Sequence, residues 1–331
     1  MLLTCYRFIN DIHRNLVVNS CQLSKFTKEI KKYFPYPKTN HSLKSQTKPV
    51  PLKAYLFLLL GVFCIAWSAI FVKLADAPAL TSGFYRYFFC FLGLVPIWIY
   101  KKIKIPNQRT LLWIILGSFF FVCDMGLWNL SILKTSASVS TLLANNASIF
   151  VGLGSLIVFK QKLSLVYWIG LLVATIGVFT VTGRDFLYNA NLGTGHLMAI
   201  GAAIFYAGYL LITQQVRESI DVVNFMGWSL LACLFFSYLI CWQQDLQMLH
   251  FNNQTWYAFI ASGIICHLVG WLCINYSLGF LPAAIVSPSL LIQPVLTSII
   301  SFFLLNESLR NEQIVGGFIV ILGVYLVNRR G

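Results

Sequence analysis

The sequence predicts an all-α, polytopic membrane protein with ten transmembrane helices, arranged as two inverted five-helix repeats. Of its 331 residues, 58% are hydrophobic and only 10% are charged, whereas about a quarter of the residues in a soluble domain are charged. From residue 54 onward, apolar runs recur with lengths near the roughly 18 residues that read as a membrane-spanning helix. The second half of the chain also repeats the first at a fixed offset.

The apolar runs are continuous rather than alternating, which favours helices over barrel strands. They cover residues 54–74, 80–100, 111–133, 137–159, 165–182, 195–213, 223–242, 255–278, 283–305 and 313–328. Because the connections are short, the region after residue 53 is predicted to be one membrane domain without a soluble catalytic domain.

The internal repeat relates residues 129–181 to residues 275–327, an ungapped offset of 146 residues. Nine positions coincide, namely Asn129/Asn275, Ser131/Ser277, Ala137/Ala283, Ser155/Ser301, Leu163/Leu309, Gly170/Gly316, Gly177/Gly323, Val178/Val324 and Val181/Val327. Five spans per half is an odd number, so the second copy lies upside down in the membrane. This plan is typical of secondary transporters, whose substrate site lies between the halves. We expect the repeated glycines to allow close helix packing within each half.

Residues 1–53 are polar and basic, with ten Lys or Arg against Asp11 and Glu29. Their composition predicts a largely disordered cytosolic arm ahead of the two repeats, which we place at residues 54–183 and 193–330. A mitochondrial presequence or an unused upstream start is the alternative for the arm. Nothing in it indicates specific binding to nucleic acid.

The distribution of basic residues predicts the orientation. If the N-terminus is cytosolic, 19 of the 24 Lys and Arg also face the cytosol, as the positive-inside rule requires. We therefore expect both termini in the cytosol, with the bacterial inner membrane as the location.

Short motifs in both halves resemble the EamA type of the drug/metabolite transporter superfamily, from about residue 54 to residue 330. The motifs are Gly61-Val-Phe-Cys-Ile-Ala-Trp-Ser68, Phe71-Val-Lys73, Phe84-Tyr-Arg86-Tyr, Gly126-Leu-Trp-Asn-Leu-Ser131, Thr135-Ser136-Ala137, and Leu305-Asn-Glu307-Ser-Leu309 ahead of Gly316-Gly317. The resemblance implies a ten-helix transporter that moves small organic metabolites through a central cavity between the halves.

The chain departs from the family pattern at two places in its first half. The family usually has a Glu after the fourth span of each half, and here Glu307 has Gln161 as its counterpart. A proline in that span is frequent in both halves, whereas Pro294 has Ser148 as its counterpart. We therefore expect a straighter first half with less charge anchoring, and we assign Glu307 a structural role.

Ionisable residues within spans are costly in hydrocarbon and indicate functional sites. Asp124 and Trp128 are four residues apart on span three, while His267, Trp271 and Asn275 recur at four on span eight. Each set predicts one polar and aromatic helix face. Since spans three and eight are equivalent in the repeats, we expect both faces to line the cavity. The alternative is that both tryptophans are lipid-facing anchors at the membrane interface.

Other residues extend the predicted substrate site, namely Trp67, Asn129, Asn146 and Gln293. Buried amides also hold membrane helices together, which is the alternative for these side chains. Arg86 is expected to be a structural charge, either paired with Asp124 or backbone carbonyls or extended to the outer surface.

We find no HExxH, GxSxG or paired-acid pattern, so the sequence predicts no enzyme, metal site or cofactor. The predicted function is secondary transport of a small organic metabolite, amino-acid-like or otherwise neutral or zwitterionic, by alternating access. The alternatives are an uptake exchanger for a nucleoside-like cofactor such as S-adenosylmethionine, or a non-transporting membrane scaffold. The predicted partners are the solute and the lipid bilayer, while proton or exchange coupling and homodimer formation stay open.

Overall fold

The computed structural model describes residues 51–134, 140, 143–182, 193–305 and 311–329. Every regular element in these ranges is a helix, which confirms the predicted all-α class. Eight of these helices are long and apolar enough to cross a membrane, and two shorter apolar helices cover Leu143–Ile157 and Leu165–Val181. Together they correspond to the ten predicted spans. The arm and Glu307 lie outside the described residues.

The first half contains α1 (Leu52–Ala66), α2 (Ser68–Leu74), α3 (Ala79–Tyr100), α4 (Gln108–Lys134), α5 (Ala147–Ile157) and α6 (Leu165–Thr182). The second half contains α7 (Thr194–Arg217), α8 (Val222–Gln243), α9 (Asn253–Ala261), a π-helix (Ser262–Trp271), α10 (Leu272–Ser277), α11 (Ala283–Ser289), a 3-10 turn (Leu290–Ile292), α12 (Gln293–Leu305) and α13 (Asn311–Arg329). Spans are numbered one to ten along the chain. Span one is α1 with α2, span eight is α9 to α10, and span nine is α11 to α12.

The contacts between spans follow a two-fold relation between the halves. Span three packs on span six as span eight packs on span one, and span three packs on span seven as span eight packs on span two. The self-equivalent pairs are spans two and seven, spans four and nine, and spans five and ten. The most extensive contacts therefore join one half to the other, as expected of an inverted repeat.

The repeated glycines lie where spans five and ten cross. A Cβ atom on Gly323 would lie 2.3 Å from the backbone nitrogen of Ala174, and one on Gly177 would lie 2.5 Å from that of Val320. Only glycine lets the two backbones approach so closely. The expectation that these glycines pack within each half is wrong, because the two-fold relation places the two copies opposite each other.

Span one is interrupted at Trp67, where α1 ends and α2 begins. The carbonyl of Ile65 accepts a hydrogen bond from Gln293 Nε2 (3.3 Å), and that of Ala66 accepts one from Thr297 Oγ1 (2.8 Å). Side chains of span nine therefore satisfy backbone groups at the break, as buried backbone requires.

Span nine is also interrupted, at Leu290–Ile292. The interruption lies between Pro288 and Pro294, which lack the N–H that would continue the helical hydrogen bonds. The lipid-facing surface is strongly apolar, as shown by exposed side chains such as Leu59, Leu92 and Phe235. The chain is thus an integral, multi-pass membrane protein.

Candidate functional site

A cavity lies between spans one, two, three and eight, so both halves contribute to its wall. The space between its lining residues is about 430 Å³, including its open mouth. Its polar lining consists of Ser68, Ser82, Arg86, Asn129 and Ser262. Its larger apolar lining residues are Phe71, Val72, Met125, Trp128 and Phe259.

The cavity lies toward one end of the helix bundle, which carries the connections 75–78 and 244–252. We term it the cavity end. Thr255 Oγ1 accepts a hydrogen bond from the backbone N–H of Asp76 (3.1 Å), and the hydroxyl of Tyr85 donates to the carbonyl of Met248. These bonds fix the connections to spans eight and two. Val72 lines the cavity and is exposed.

Arg86 projects from span two into the wall of this cavity and is only 8% exposed. Its Nη1 donates to Ser68 Oγ at 2.6 Å, whereas its buried Nε has no partner among the described residues. No Asp or Glu in the described part of the chain lies within the 4.0 Å of an ion pair, Asp124 included. Arg86 is therefore a buried cation with few protein partners.

Trp128 and Asn129 of span three lie beside each other in the cavity wall. Asn129 is 8% exposed and makes no hydrogen bond to another described residue. It also lines a second cavity of about 290 Å³, between spans two, three and seven, together with Tyr87 and Ser237. Trp128 is partly buried and packs against a buried cluster that includes Phe205 of span six. The substrate role predicted for Trp128 stays a prediction.

His267 and Trp271 lie in a buried aromatic cluster next to the cavities. The Trp271 ring centroid is 4.9 Å from that of Phe121 and 5.5 Å from that of Tyr209. The His267 ring packs edge-on against Tyr87 at 5.1 Å, and its Nδ1 has no partner among the described residues. Both residues belong to the π-helix, and neither faces lipid.

Spans three and eight therefore meet, as expected, but the contact is made by Phe121 of span three with the rings of His267 and Trp271. Asp124 lies one turn further along span three, is 8% exposed, and does not line the larger cavity. It makes neither a hydrogen bond nor an ion pair within the described ranges. The structure thus separates the predicted set: Trp128 and Asn129 line the cavity, while His267 and Trp271 pack behind it.

The remaining predicted residues have structural contacts. Trp67 stacks on Phe71 with ring centroids 6.0 Å apart. Phe71 lines the cavity, and Trp67 lies behind it. Gln293 binds the break in span one, as described above. Asn275 Oδ1 accepts a hydrogen bond from the Tyr209 hydroxyl at 3.3 Å. Asn146 precedes α5, where its carbonyl accepts the N–H of Ile149.

The opposite end, with the connections 101–107, 218–221 and 278–282, is closed by hydrogen bonds, and we term it the sealed end. Asn224 of span seven is 1% exposed, and its Oδ1 accepts the Trp98 indole N–H and the Lys104 backbone N–H, both at 2.8 Å. Ser277 Oγ of span eight donates to the carbonyl of Ala54 at 2.8 Å. These bonds join the two halves.

Asp221 orients Asn224 at the sealed end. Its carboxylate accepts the Asn224 side-chain N–H at 2.7 Å and the backbone N–H groups of Val223 and Asn224, each at 3.1 Å. Partial burial raises the pKa of the Asp221 carboxyl, but the hydrogen bonds from Asn224 and Val223 outweigh it, so the pKa lies below its usual value. Asp221 thereby fixes the amide so that Oδ1 points to the first half.

Arg217 of span six is the arginine of the sealed end that can be compared with Arg86 of the cavity end. Its Nε donates to the carbonyl of Asn275 at 3.0 Å, and its Nη1 donates to that of Ile220. Gly279 leaves room for the guanidinium, because a Cβ there would lie 2.9 Å from Nη2. Arg217 thus lies against backbone carbonyls.

Ser68, Phe121 and Ser262 were not among the residues predicted from the sequence. Phe121 shares a helix face with Asp124 and Trp128, and extending their spacing by one turn would have found it. The two serines gave no such signal, since small hydroxyl residues are common in membrane helices for packing alone.

Residues 52–183 and 193–329 each match the model of the EamA-like transporter family. The chain belongs to the EamA-like transporter family. The two matched segments are the two halves related by the two-fold contacts. This EamA-like transporter is therefore a membrane transporter in which each half supplies spans to the cavity.

Similar proteins from other organisms agree with this family. An uncharacterized transporter of Archaeoglobus fulgidus is 22% identical over 84% of this chain and 98% of its own length. The uncharacterized transporter YwfM of Bacillus subtilis is 23% identical over 82% of this chain and 93% of its own. Human solute carrier family 35 member G1 is 28% identical over 52% of this chain and 51% of its own. A solved crystal structure shares the fold, with a TM-score of 0.71 at 12% identity, over 83% of this chain and 97% of that one.

Proposed function

We propose that this EamA-like transporter is a secondary carrier for a small organic solute, amino-acid-like or otherwise neutral or zwitterionic, moved by alternating access. The observation that carries the proposal is the difference between the two ends of the membrane domain. At the cavity end, spans of both halves enclose a polar and aromatic pocket. At the sealed end, Asn224 and Ser277 join the same halves by hydrogen bonds.

The two-fold relation between the halves suggests the second state of the cycle. In inverted-repeat carriers, one repeat rocks against the other so that the site opens to one side at a time. Here the bonds from Asn224 to Trp98 and Lys104 would break when the sealed end opens. The spans around Arg86 and Trp128 would then close over the solute.

The lining of the cavity supports a small organic solute. Phe71, Trp128 and Phe259 offer apolar and aromatic surface, while Ser82 and Asn129 offer hydrogen bonds. A site with many acids or many bases would instead favour a multiply charged solute.

Uptake into proteoliposomes tests the proposal. Vesicles containing the full-length protein are incubated with a uniformly ¹³C-labelled algal amino-acid mixture, with and without unlabelled amino acids inside, and their contents are measured by mass spectrometry. We expect one or a few labelled compounds to enter above protein-free vesicles, and Trp128→Ala to reduce that uptake at least about tenfold.

Trp242→Ala is the matched control, because Trp242 is 71% exposed and is not among the residues that line either cavity. It should leave uptake unchanged. Absence of any protein-dependent uptake or exchange would contradict the proposed class of substrate. Equal effects of the two tryptophan substitutions would contradict the assignment of the cavity.

A further inference from the structure

The cavity contains a cation without a matching anion. Arg86 is the only charged residue among the described residues that line it, and its side chain is 8% exposed. A buried charge is normally paired, since removing it from water is costly. The described residues supply only the Ser68 hydroxyl, and the Nε atom has no partner.

We propose that Arg86 binds the carboxylate of the transported solute, which rests on the transport function proposed above. The site would then select solutes that carry one carboxylate, such as amino acids and other monocarboxylates. This differs from the structural role that the sequence predicted for Arg86, because the described residues offer its guanidinium only the Ser68 hydroxyl.

The chemistry of the lining favours a carboxylate over other anions. A guanidinium presents planar N–H donors that match the two oxygens of a carboxylate. One positive charge balances a monoanionic carboxylate but leaves a phosphate dianion with excess charge. The described lining residues include no acid, so none of them competes with the solute for Arg86.

Neighbouring side chains would hold the rest of the solute. Ser68 fixes the guanidinium through its 2.6 Å hydrogen bond from Nη1. Asn129 has an amide without a partner among the described residues, which suits a hydroxyl or an ammonium. The Trp128 ring offers a face to an apolar group or a cation. A zwitterion with an apolar substituent satisfies all these groups at once.

A binding experiment with matched pairs of probes tests the inference. The purified full-length protein is titrated with the standard L-amino acids and with the carboxamide of each, and binding is followed by the shift in melting temperature. We expect at least one acid to bind saturably and its carboxamide to bind at least about 30-fold more weakly. Inorganic phosphate should not compete with that acid.

Variants test whether Arg86 causes the preference for an acid over its carboxamide. Arg86→Gln should abolish the difference between acid and carboxamide, and Arg86→Lys should retain a reduced difference because it keeps the charge without the planar fork. Arg109→Gln, at an exposed arginine of span three, should behave as the wild type. Gel filtration and the melting temperature without ligand establish that each variant is folded.

The outcomes separate this inference from the transport function. Wild-type vesicles that take up acids and carboxamides equally would leave transport standing and overturn the role of Arg86. A folded Arg86→Gln variant that still prefers the acid, or phosphate that competes equally, would also overturn it. A wild type that neither binds nor transports any of the acids would contradict both proposals.

Discussion

The two ends of the membrane domain use the same residue types in different ways. At the sealed end, Asn224 binds Trp98, Lys104 and Asp221, and Arg217 lies against two carbonyls. At the cavity end, Asn129 has no hydrogen bond to a described residue and Arg86 has one.

The contrast separates structural from functional polar residues inside a membrane. A buried polar side chain whose groups are satisfied by the protein holds helices together, because losing a partner leaves an unpaired group in a dry environment. A buried side chain whose hydrogen-bonding groups are not satisfied by the described residues is available to bind a solute. This contrast supports the proposals that Asn224 and Arg217 serve closure and that Asn129 and Arg86 serve binding.

The largest expected effect comes from breaking the sealed end at its asparagine. Asn224→Leu should lower the stability of the folded protein by about 3 kcal/mol, because the buried Trp98 indole N–H loses its acceptor. Asn129→Leu is the matched control and should change stability by less than about 1 kcal/mol. Denaturation in detergent measures both, and equal losses would contradict the distinction between the two ends.

Substitution of the two arginines should change the stability of the protein in opposite directions. Arg217→Gln should destabilise the protein by about 2 kcal/mol, since two carbonyls lose a charged donor. Arg86→Gln should stabilise it by about 1 kcal/mol, because an unpaired buried charge is removed. Melting temperatures without added solute test this. A loss at Arg86 as large as that at Arg217 would show that Arg86 is satisfied by the protein.

A pair of glycines gives a smaller effect and probes the space around each arginine. Gly279→Ala should cost about 1 kcal/mol, because its Cβ would crowd the Arg217 guanidinium. Gly83→Ala should leave stability unchanged, since nothing lies within 4 Å of its Cβ position in the cavity. If Gly279→Ala is neutral, Arg217 can move without cost.

The smallest expected effect concerns pH. The pKa of Asp221 is lowered in the folded state, so its stabilising charge is present above the unfolded value of about 3.9 and is lost as the pH falls through the folded pKa. Asp221→Asn should therefore cost about 0.5 kcal/mol at pH 7, a small value because Asp221 is largely exposed and solvent screens its charge. The difference from wild type should disappear in acid. A difference that is independent of pH would contradict this account.

The fold could be predicted from the sequence because hydrophobic run length and the 146-residue repeat are properties of the chain alone. Helix periodicity also places Trp128 with Asp124 on one face, although only Trp128 reaches the larger cavity. Periodicity tells which residues share a face, but not which neighbour that face meets. That is why the glycine contact between spans five and ten was assigned to the wrong helices.

Span eight shows a second reason why the positions of the site residues could not be predicted from the sequence. Ser262–Trp271 forms a π-helix, whose i→i+5 bonds change the rotation per residue relative to an α-helix. A face drawn with the α-helical period therefore drifts along this span, and Trp271 lies in the aromatic cluster rather than opposite Trp128. The contacts of Arg86 could not be predicted either, because residue type alone does not show which side chains of two spans meet.

Thiol accessibility from each side of the membrane tests most directly the claim that the two ends open alternately. Gly83→Cys places a thiol in the cavity without a clash, in a chain with Cys5 and Cys21 replaced by Ser; the seven cysteines of the described spans are buried. Vesicles of known orientation are treated with a membrane-impermeant maleimide on either side. We predict labelling from the cavity end only, and labelling from both sides when Asn224→Leu is added. Equal labelling from both sides with Asn224 intact, or labelling from the cavity end alone in the Asn224→Leu variant, would contradict the claim.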